Sequence, residues 1–183
     1  LTADFVTDAQ LQRPLTLNEI TGLEKIDNIN DRVTRAVAIF TEQITYLEEE
    51  FSPHVVLCAL PDDLLDLLES EPGQAAYDFH DMLKARTMKL KQHTQIVLPA
   101  TYQKKRKKGG ADKGRGRRNL QDEATRAWNI YTALYYKSKG TPWRLVRHSS
   151  QLTTCYVGIS FYRSLDGKTL QTSIAQVFNE LGD

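Results

Sequence analysis

The segment His54-Val55-Val56-Leu57-Cys58-Ala59-Leu60 decides the fold class, because it is a continuous apolar run bounded by Pro53 and Pro61. Short apolar runs of this kind are typical of strands that are covered on both faces in a parallel sheet. A second short strand pattern, Thr94-Gln95-Ile96-Val97-Leu98, ends at Pro99. Helical patterns lie before, between and after these strands. The alternation predicts an α/β fold with a Rossmann-like domain.

The helical patterns are recognised by their apolar periodicity and their capping residues. Asp31 is predicted to be the N-cap of a long helix with apolar residues at spacings of three and four. This stripe consists of Val33, Val37, Phe40, Ile44, Leu47 and Phe51. Pro61 opens a Leu-rich helix, and a further helix is predicted over residues 77–91. The next helix begins near Asp122 and is stopped by Gly140. Its predicted buried stripe is Ala124, Ala127, Trp128, Tyr131, Leu134 and Tyr135.

The last third of the sequence has a β pattern. Apolar residues alternate along Thr154-Cys155-Tyr156-Val157-Gly158-Ile159-Ser160-Phe161-Tyr162. Residues 165–168 (Leu-Asp-Gly-Lys) predict a turn, and residues 169–179 are predicted to return as an antiparallel partner. We therefore expect a β-hairpin after the α/β region.

The formal net charge of +1 conceals a strong local asymmetry. Residues 103–118 form a Gly-rich basic loop opposed by the single acid Asp112. Such a composition is typical of a mobile segment. The loop is either a solubilising insert or a cationic flap over a nucleic-acid backbone, because clustered Lys and Arg bind phosphates without reading sequence. Its first basic residues are Lys104, Lys105, Arg106, Lys107 and Lys108.

Other features restrict the class of protein. The sequence has no 18-residue apolar run and no signal-peptide pattern, so we expect a cytoplasmic protein without a membrane partner. Cys58 and Cys155 both fall in apolar strand patterns and form neither a disulfide framework nor a metal site. The chain starts at Leu1 and stops at Asp183 just after a strand pattern. We therefore expect it to be a fragment whose last domain is incomplete.

Several segments of the second half resemble short prokaryotic Argonautes. They are Gln121–Asn129, Ala133–Lys137, Gly140–Leu145, Thr154–Tyr162 and Ser173–Asn179. The resemblance covers roughly residues 31–183. It implies a Rossmann-like MID domain over residues 31–145, which includes the basic loop, and the beginning of an RNase H-like PIWI domain over residues 146–183. Residues 1–30 then form a linker or N-terminal segment that packs against something else.

Ser160 stands where an active PIWI domain would have a metal-binding Asp. A serine hydroxyl cannot replace the charge of a carboxylate that holds a divalent cation. The resemblance therefore implies a chain without catalytic residues or a catalytic metal. The alternative is an active guide-directed nuclease that uses a displaced carboxylate. Asp166 is the only nearby candidate, and it lies in the predicted turn.

The MID domains of this family bind the 5′-phosphate of a guide strand through a set of side chains that matches His80, Lys84, Gln95 and Lys137. His80 and Lys84 lie four residues apart on one predicted helix and therefore point the same way. Gln95 follows Lys84 by eleven residues, and Lys137 ends the helix before Gly140.

The resemblance implies a separate role for each of these four residues. His80 stacks on the first base, Lys84 and Lys137 neutralise the phosphate, and Gln95 bonds to it. Charge-assisted hydrogen bonds of about 1.5–3 kcal/mol each can discriminate phosphate from hydroxyl. In the family a Mg²⁺ ion often accompanies this phosphate, ligated partly by the protein's C-terminus, so the resemblance allows that ion and no other cofactor. Taken singly, each lysine is more often an ordinary surface charge.

The function implied by the resemblance is that of a guide-binding subunit in prokaryotic antiviral defence. It pairs a guide RNA with target single-stranded DNA without cutting and activates an APAZ-containing effector protein fused to a TIR, sirtuin-like or nuclease domain, which leads to abortive infection. Lys104 to Lys108 and Arg126 are candidate contacts to the nucleic-acid backbone, although Arg126 could equally form a surface ion pair. The alternative from another class is a small-molecule-binding α/β module with an incidental basic loop.

Overall fold

The structure is a computed structural model that describes most of the chain. The described residues are 8–69, 78–102, 121–141, 143, 155–164, 168–172 and 176–179. The predicted basic loop, with Lys104 to Lys108, and the alternative carboxylate Asp166 lie outside the described residues.

The described residues form a mixed α/β arrangement with a small parallel sheet. A short 3₁₀ helix at Ala9–Leu11 precedes the first α-helix. The α-helices are α1 (Leu17–Glu24), α2 (Ile29–Phe51), α3 (Asp62–Leu68), α4 (Phe79–Thr87), α5 (Pro99–Tyr102) and α6 (Glu123–Lys137). The strands are β1 (Val55–Ala59), β2 (His93–Val97), β3 (Tyr156–Gly158), β4 (Phe161–Arg163), β5 (Leu170–Thr172) and β6 (Gln176–Phe178).

Helix α1 lies in the region that was predicted to be a linker. Its first turn has a capping box: the Glu19 amide donates to Thr16 Oγ1 (3.3 Å), and the Thr16 amide donates to Glu19 Oε2 (2.7 Å). These hydrogen bonds to Thr16 hold the pKa of Glu19 below its usual value. Leu23 is buried in the same core as α2. The N-terminal segment therefore contains a short capped helix, which packs against the core through Leu23.

Helix α2 is the longest helix of the described part and lines the core. Its N-cap is Asn28, whose Oδ1 accepts from the amides of Asn30 (2.9 Å) and Asp31 (3.3 Å). The prediction of Asp31 as the N-cap is therefore wrong, because a capping amide is already present three residues earlier. The predicted apolar stripe is confirmed from Val33 to Leu47, whereas Phe51 is exposed at the last turn.

Strands β1 and β2 pair in parallel, which confirms the central prediction of the sequence. The register runs from Val55 opposite His93 to Ala59 opposite Val97. Val56 and Cys58 are buried, but Leu57 is 51% exposed. The expectation that both faces of β1 are covered is wrong, because the described helices cover one face of this small sheet.

Helix α4 packs against both α2 and β2. Phe79 and Leu83 are buried, and the Phe79 ring meets Phe40 of α2 edge to face with 5.3 Å between ring centroids. The helix is shorter than the predicted 77–91 span. This apolar anchoring fixes α4 against the core and leaves Lys84, the residue after Leu83, half-buried beside β2.

Helix α6 also packs against β2, and the second half of its predicted stripe (Tyr131, Leu134 and Tyr135) is buried or half-buried. Leu134 is buried and Ile130 and Lys137 are half-buried, whereas Ala124 and Trp128 are exposed. Ala127, another member of the predicted stripe, is exposed as well. The prediction of a buried stripe is therefore wrong for Ala124, Ala127 and Trp128, in the first half of the helix. The Trp128 ring instead stacks on Trp143, with 6.3 Å between centroids and 6° between planes.

The later strands form two antiparallel pairs, β3 with β6 and β4 with β5. This confirms the predicted antiparallel return. Val157, Phe161 and Leu170 are each more than half exposed. None of the described helices is both long enough and apolar enough to cross a membrane.

Candidate anion-binding site

Two ammonium groups meet at a single backbone oxygen beside β2. Lys84 Nζ, from α4, donates to the carbonyl oxygen of Thr94 at 2.5 Å. Lys137 Nζ, from the last residue of α6, donates to the same oxygen at 2.7 Å. Since both nitrogens bond to one oxygen, they lie no more than about 5 Å apart. Two positive charges thus converge from two different helices, although Lys84 and Lys137 lie far apart in the sequence.

Gln95 completes this cluster. Its Oε1 accepts from Lys137 Nζ at 2.6 Å, and its Nε2 donates to the backbone oxygen of Ile96 at 2.8 Å. The side-chain amide therefore has a defined orientation, with its oxygen towards the ammonium group. The structure thus brings together three of the four residues predicted from the sequence: Lys84, Gln95 and Lys137.

A buried pair of threonines lies behind Lys84. Thr94 Oγ1 is 3.4 Å from Lys84 Nζ and 3.2 Å from Thr87 Oγ1. Thr87 Oγ1 donates to the Leu83 carbonyl oxygen at 2.9 Å. Thr87 and Thr94 are each only 5% exposed. Neither threonine was predicted from the sequence, although strand alternation places Thr94 on the same face as buried Ile96, two residues later.

The cluster carries positive charge without an acidic partner. Among the residues that the structure describes, no carboxylate forms an ion pair with Lys84 or Lys137. Burial and the nearby Lys84 ammonium lower the pKa of Lys137 to about 8. The same two lysines oppose, but do not overcome, the burial that raises the pKa of the Cys58 thiol to about 11. Cys58 is therefore a protonated thiol near pH 7 and contributes no negative charge.

The lysines also have unused hydrogen-bond capacity. An ammonium group has three N–H donors and no acceptor. Within the described part of the chain each lysine makes two hydrogen bonds, Lys84 to both oxygens of Thr94 and Lys137 to Thr94 and Gln95. One N–H on each group is left for another acceptor. An anion with two or more oxygens matches both the charge and the donors of this cluster.

His80 lies one turn before Lys84 on α4 but outside the cluster. Its side chain is 59% exposed, and Nδ1 lies 3.1 Å from Asp81 Oδ1. None of the described hydrogen bonds joins the imidazole to Lys84, Gln95 or Lys137. The ring is therefore accessible from solvent at the N-terminal end of the helix that carries Lys84.

Possible metal ligands at this end of α4 do not make a metal centre by themselves. Ligand atoms of Asp78, His80 and Asp81 lie within 4.8 Å of one another, but all three residues are exposed and Asp78 Oδ1 accepts from the Asp81 amide. At the lysine cluster, the described side chains offer the amide oxygen of Gln95 and the hydroxyl of Thr94, both already hydrogen-bonded. This donor set does not suit Mg²⁺, which prefers carboxylates and water.

The remaining candidate residues are placed elsewhere. Arg126 Nη1 donates to the Thr101 carbonyl at 3.3 Å, and the side chain is half-buried against α5 rather than fully projecting into solvent. Ser160 is exposed and lies between β3 and β4. Neither residue contacts the lysine cluster through a described hydrogen bond.

No protein-family model matches this chain, and no curated protein matches it. The resemblance to short prokaryotic Argonautes therefore stays a hypothesis that depends on the sequence segments quoted above.

Proposed function

We propose that the lysine cluster binds the 5′-phosphate of a guide strand. The observation that carries the proposal is the convergence of Lys84 and Lys137 on the Thr94 carbonyl, with no carboxylate paired to either among the described residues. Holding two like charges together in a half-buried position is unfavourable without an anion. A bound phosphate removes this repulsion.

A terminal phosphate fits the cluster better than an internal phosphodiester does. A phosphate monoester carries close to two negative charges at pH 7 and has three terminal oxygens, whereas a phosphodiester carries one charge. The two remaining N–H donors, one on each lysine, match two oxygens of the monoester. Charge-assisted hydrogen bonds contribute about 1.5–3 kcal/mol each, so two of them account for a preference of a hundredfold or more.

His80 extends the site from phosphate to nucleotide. Its exposed ring lies one helical turn, about 5.4 Å, before Lys84 on α4. Exposed aromatic rings next to cationic residues bind nucleic-acid bases by stacking, which tolerates different base identities. His80 therefore stacks on the first base while the lysines hold its phosphate.

The wider function follows from the resemblance. In this proposal the α/β region is a Rossmann-like MID domain, and β3 to β6 begin an RNase H-like PIWI domain in which Ser160 replaces the catalytic Asp. The protein then loads guide RNA, pairs it with target single-stranded DNA without cleaving it, and activates an APAZ-containing effector. Any NADase or nuclease activity belongs to that effector. The proposed location is the cytoplasm.

The test is a comparison of 5′-phosphorylated and 5′-hydroxyl RNA of identical sequence in fluorescence-anisotropy titrations at one salt concentration. We expect the phosphorylated strand to bind at least about tenfold more tightly. Lys84→Ala should remove most of this preference. The matched control is Lys89→Ala, which removes an exposed lysine five residues after Lys84 and should leave the preference unchanged. Equal affinities for the two strands would overturn the proposal.

Two further measurements separate the alternatives. If a phosphorylated mononucleotide binds as tightly as the oligonucleotide, the site belongs to a small-molecule-binding module. If the protein loaded with guide cuts a complementary strand in the presence of Mn²⁺, the non-cleaving role is wrong.

A further inference from the structure

A directed chain of hydrogen bonds runs from the core to the Lys84 ammonium group. Thr87 Oγ1 donates to the Leu83 carbonyl (2.9 Å), so its hydrogen is used within α4. Its lone pairs then face Thr94 Oγ1 (3.2 Å), whose hydroxyl hydrogen points to Thr87. The lone pairs of Thr94 Oγ1 are left for Lys84 Nζ (3.4 Å). Each hydroxyl in this order gives one hydrogen and accepts one, so the chain has one consistent direction.

The hydroxyl groups of Thr87 and Thr94 are buried polar groups. Thr87 and Thr94 are 5% exposed, and the buried side chains around them are apolar: Leu83 on α4 and Ile96 on β2. A hydroxyl in such a place is unfavourable unless it is hydrogen-bonded, and valine has nearly the same shape without this cost. Both hydroxyls meet this condition, Thr87 through the Leu83 carbonyl and Thr94 through Thr87. Valine at either position would keep the shape of the side chain but break the chain that ends at Lys84.

Lysine needs external restraint to act as a precise ligand. Its ammonium group ends a four-carbon chain with many rotamers, so a single backbone contact leaves the nitrogen able to swing. The Thr94 residue offers Lys84 two acceptors, the carbonyl and the hydroxyl, on the same strand. Lys137 has the corresponding pair in the Thr94 carbonyl and the Gln95 amide. Both ammonium groups are thus held at two points.

We propose that Thr94 and Thr87 are positioning residues, which fix the Lys84 ammonium group and thereby set the selectivity for a terminal phosphate. This inference rests on the proposed function of the lysine cluster. The threonines do not contact the ligand. They act through Lys84, with Thr87 orienting the Thr94 hydroxyl and Thr94 orienting the ammonium group.

The experiment measures the ratio of dissociation constants for 5′-hydroxyl and 5′-phosphorylated RNA in four proteins: the wild type and Thr94→Val, Thr87→Val and Thr94→Ser. Valine keeps the shape and removes the hydroxyl, whereas serine keeps the hydroxyl. We expect each valine variant to lower the ratio about fivefold, the effect of one hydrogen bond, and the serine variant to retain the wild-type ratio. Circular dichroism melting identifies any variant that fails to fold, and Thr87→Val then decides in place of Thr94→Val.

The outcomes distinguish this inference from the proposed function. If the wild type shows no preference for the phosphorylated strand, the proposed function is wrong and the inference with it. If the wild type discriminates but both valine variants discriminate equally well, the inference alone is overturned. An equal loss of affinity for both strands, or a serine variant as impaired as the valine variant, would mean that the threonines only support the fold.

Discussion

Arg32 and the lysine cluster are both held by backbone carbonyl oxygens, and they differ in the number of these oxygens for each positive charge. Arg32 donates through Nε (2.9 Å) and Nη2 (2.6 Å) to the Ile26 carbonyl and through Nη1 to the Leu67 carbonyl (3.0 Å). One cation thus has two carbonyl oxygens. In the lysine cluster, by contrast, two cations, Lys84 and Lys137, share the single carbonyl oxygen of Thr94.

Under the proposed function, this difference separates a structural cation, Arg32, from two cations that bind an anion, Lys84 and Lys137. Arg32 joins the turn after α1 to the end of α3, so its hydrogen bonds hold parts of the fold together. The lysine cluster joins α4 and α6 to β2, but two charges on one oxygen leave both positive charge and donors in excess. A bound anion would neutralise the excess positive charge and accept the remaining N–H donors.

The largest expected effect is the loss of the lysine cluster. The double variant Lys84→Ala with Lys137→Ala should weaken binding of 5′-phosphorylated RNA by about a hundredfold, and each single variant by about tenfold, because each removes one charge-assisted bond. Binding of the 5′-hydroxyl strand should change far less. Calorimetric titration of both strands checks this, and a loss well below tenfold in the single variants would contradict the site.

Replacing the structural cation should have the opposite pattern. Arg32→Met removes the hydrogen bonds to Ile26 and Leu67 while keeping an unbranched side chain, so the free energy of unfolding should fall by about 2 kcal/mol. The preference for phosphorylated RNA should stay as in the wild type. Urea denaturation measures the first quantity and anisotropy titration the second. If Arg32→Met kept normal stability but lost the preference for phosphorylated RNA, Arg32 would be part of the binding site and not a structural cation.

Binding of the phosphorylated strand should depend on pH through Lys137. Because the pKa of Lys137 is lowered to about 8, the group is mostly charged at pH 7 and mostly neutral at pH 9. The phosphate, with a second pKa of about 6, is a dianion at both values. Affinity for the phosphorylated strand should therefore fall by about tenfold from pH 7 to pH 9. Lys137→Ala is the control, since its affinity should lack this decline; a decline of equal size in that variant would assign it to another group.

The smallest expected effect is the dependence of stability on pH. Stability should rise with pH, whereas the affinity for phosphorylated RNA should fall. In the unfolded chain Lys137 titrates near 10.4, whereas in the folded chain it titrates at about 8. The unfolded state then binds more protons between these values, so the contribution of Lys137 to stability should rise as pH increases from 8 to 10. Lys137→Met should be slightly more stable than the wild type at pH 7 and should lack this rise. Thermal unfolding at a series of pH values measures both, and a less stable Met variant would show that the ammonium group supports the fold.

The sequence predicted the parts of the fold that local patterns determine. The apolar run between Pro53 and Pro61 and the strand pattern that ends at Pro99 predicted the two parallel strands. Apolar spacings of three and four predicted α2 and its buried residues up to Leu47. Three of the four candidate site residues also meet. Lys84, Gln95 and Lys137 were chosen because they match, in order and spacing, the set that the resemblance implies.

The parts that failed depend on contacts that are distant in sequence. Trp128 lies on the exposed face of α6, where its ring stacks on Trp143, a residue beyond the end of the helix. The apolar periodicity of the helix itself does not reveal this partner. The meeting point of the lysines is a backbone oxygen of Thr94, which has no signature in the sequence.

The most direct test observes the two ammonium groups themselves. Nuclear magnetic resonance of protein labelled with ¹⁵N-lysine, with signals assigned through Lys84→Ala and Lys137→Ala, can follow Nζ during addition of 5′-phosphorylated RNA. We expect both signals to shift, and the pKa of Lys137 to move upwards from about 8 as the phosphate stabilises its charged form. If both signals and this pKa stay unchanged while the RNA binds, the phosphate lies elsewhere and the central claim is wrong.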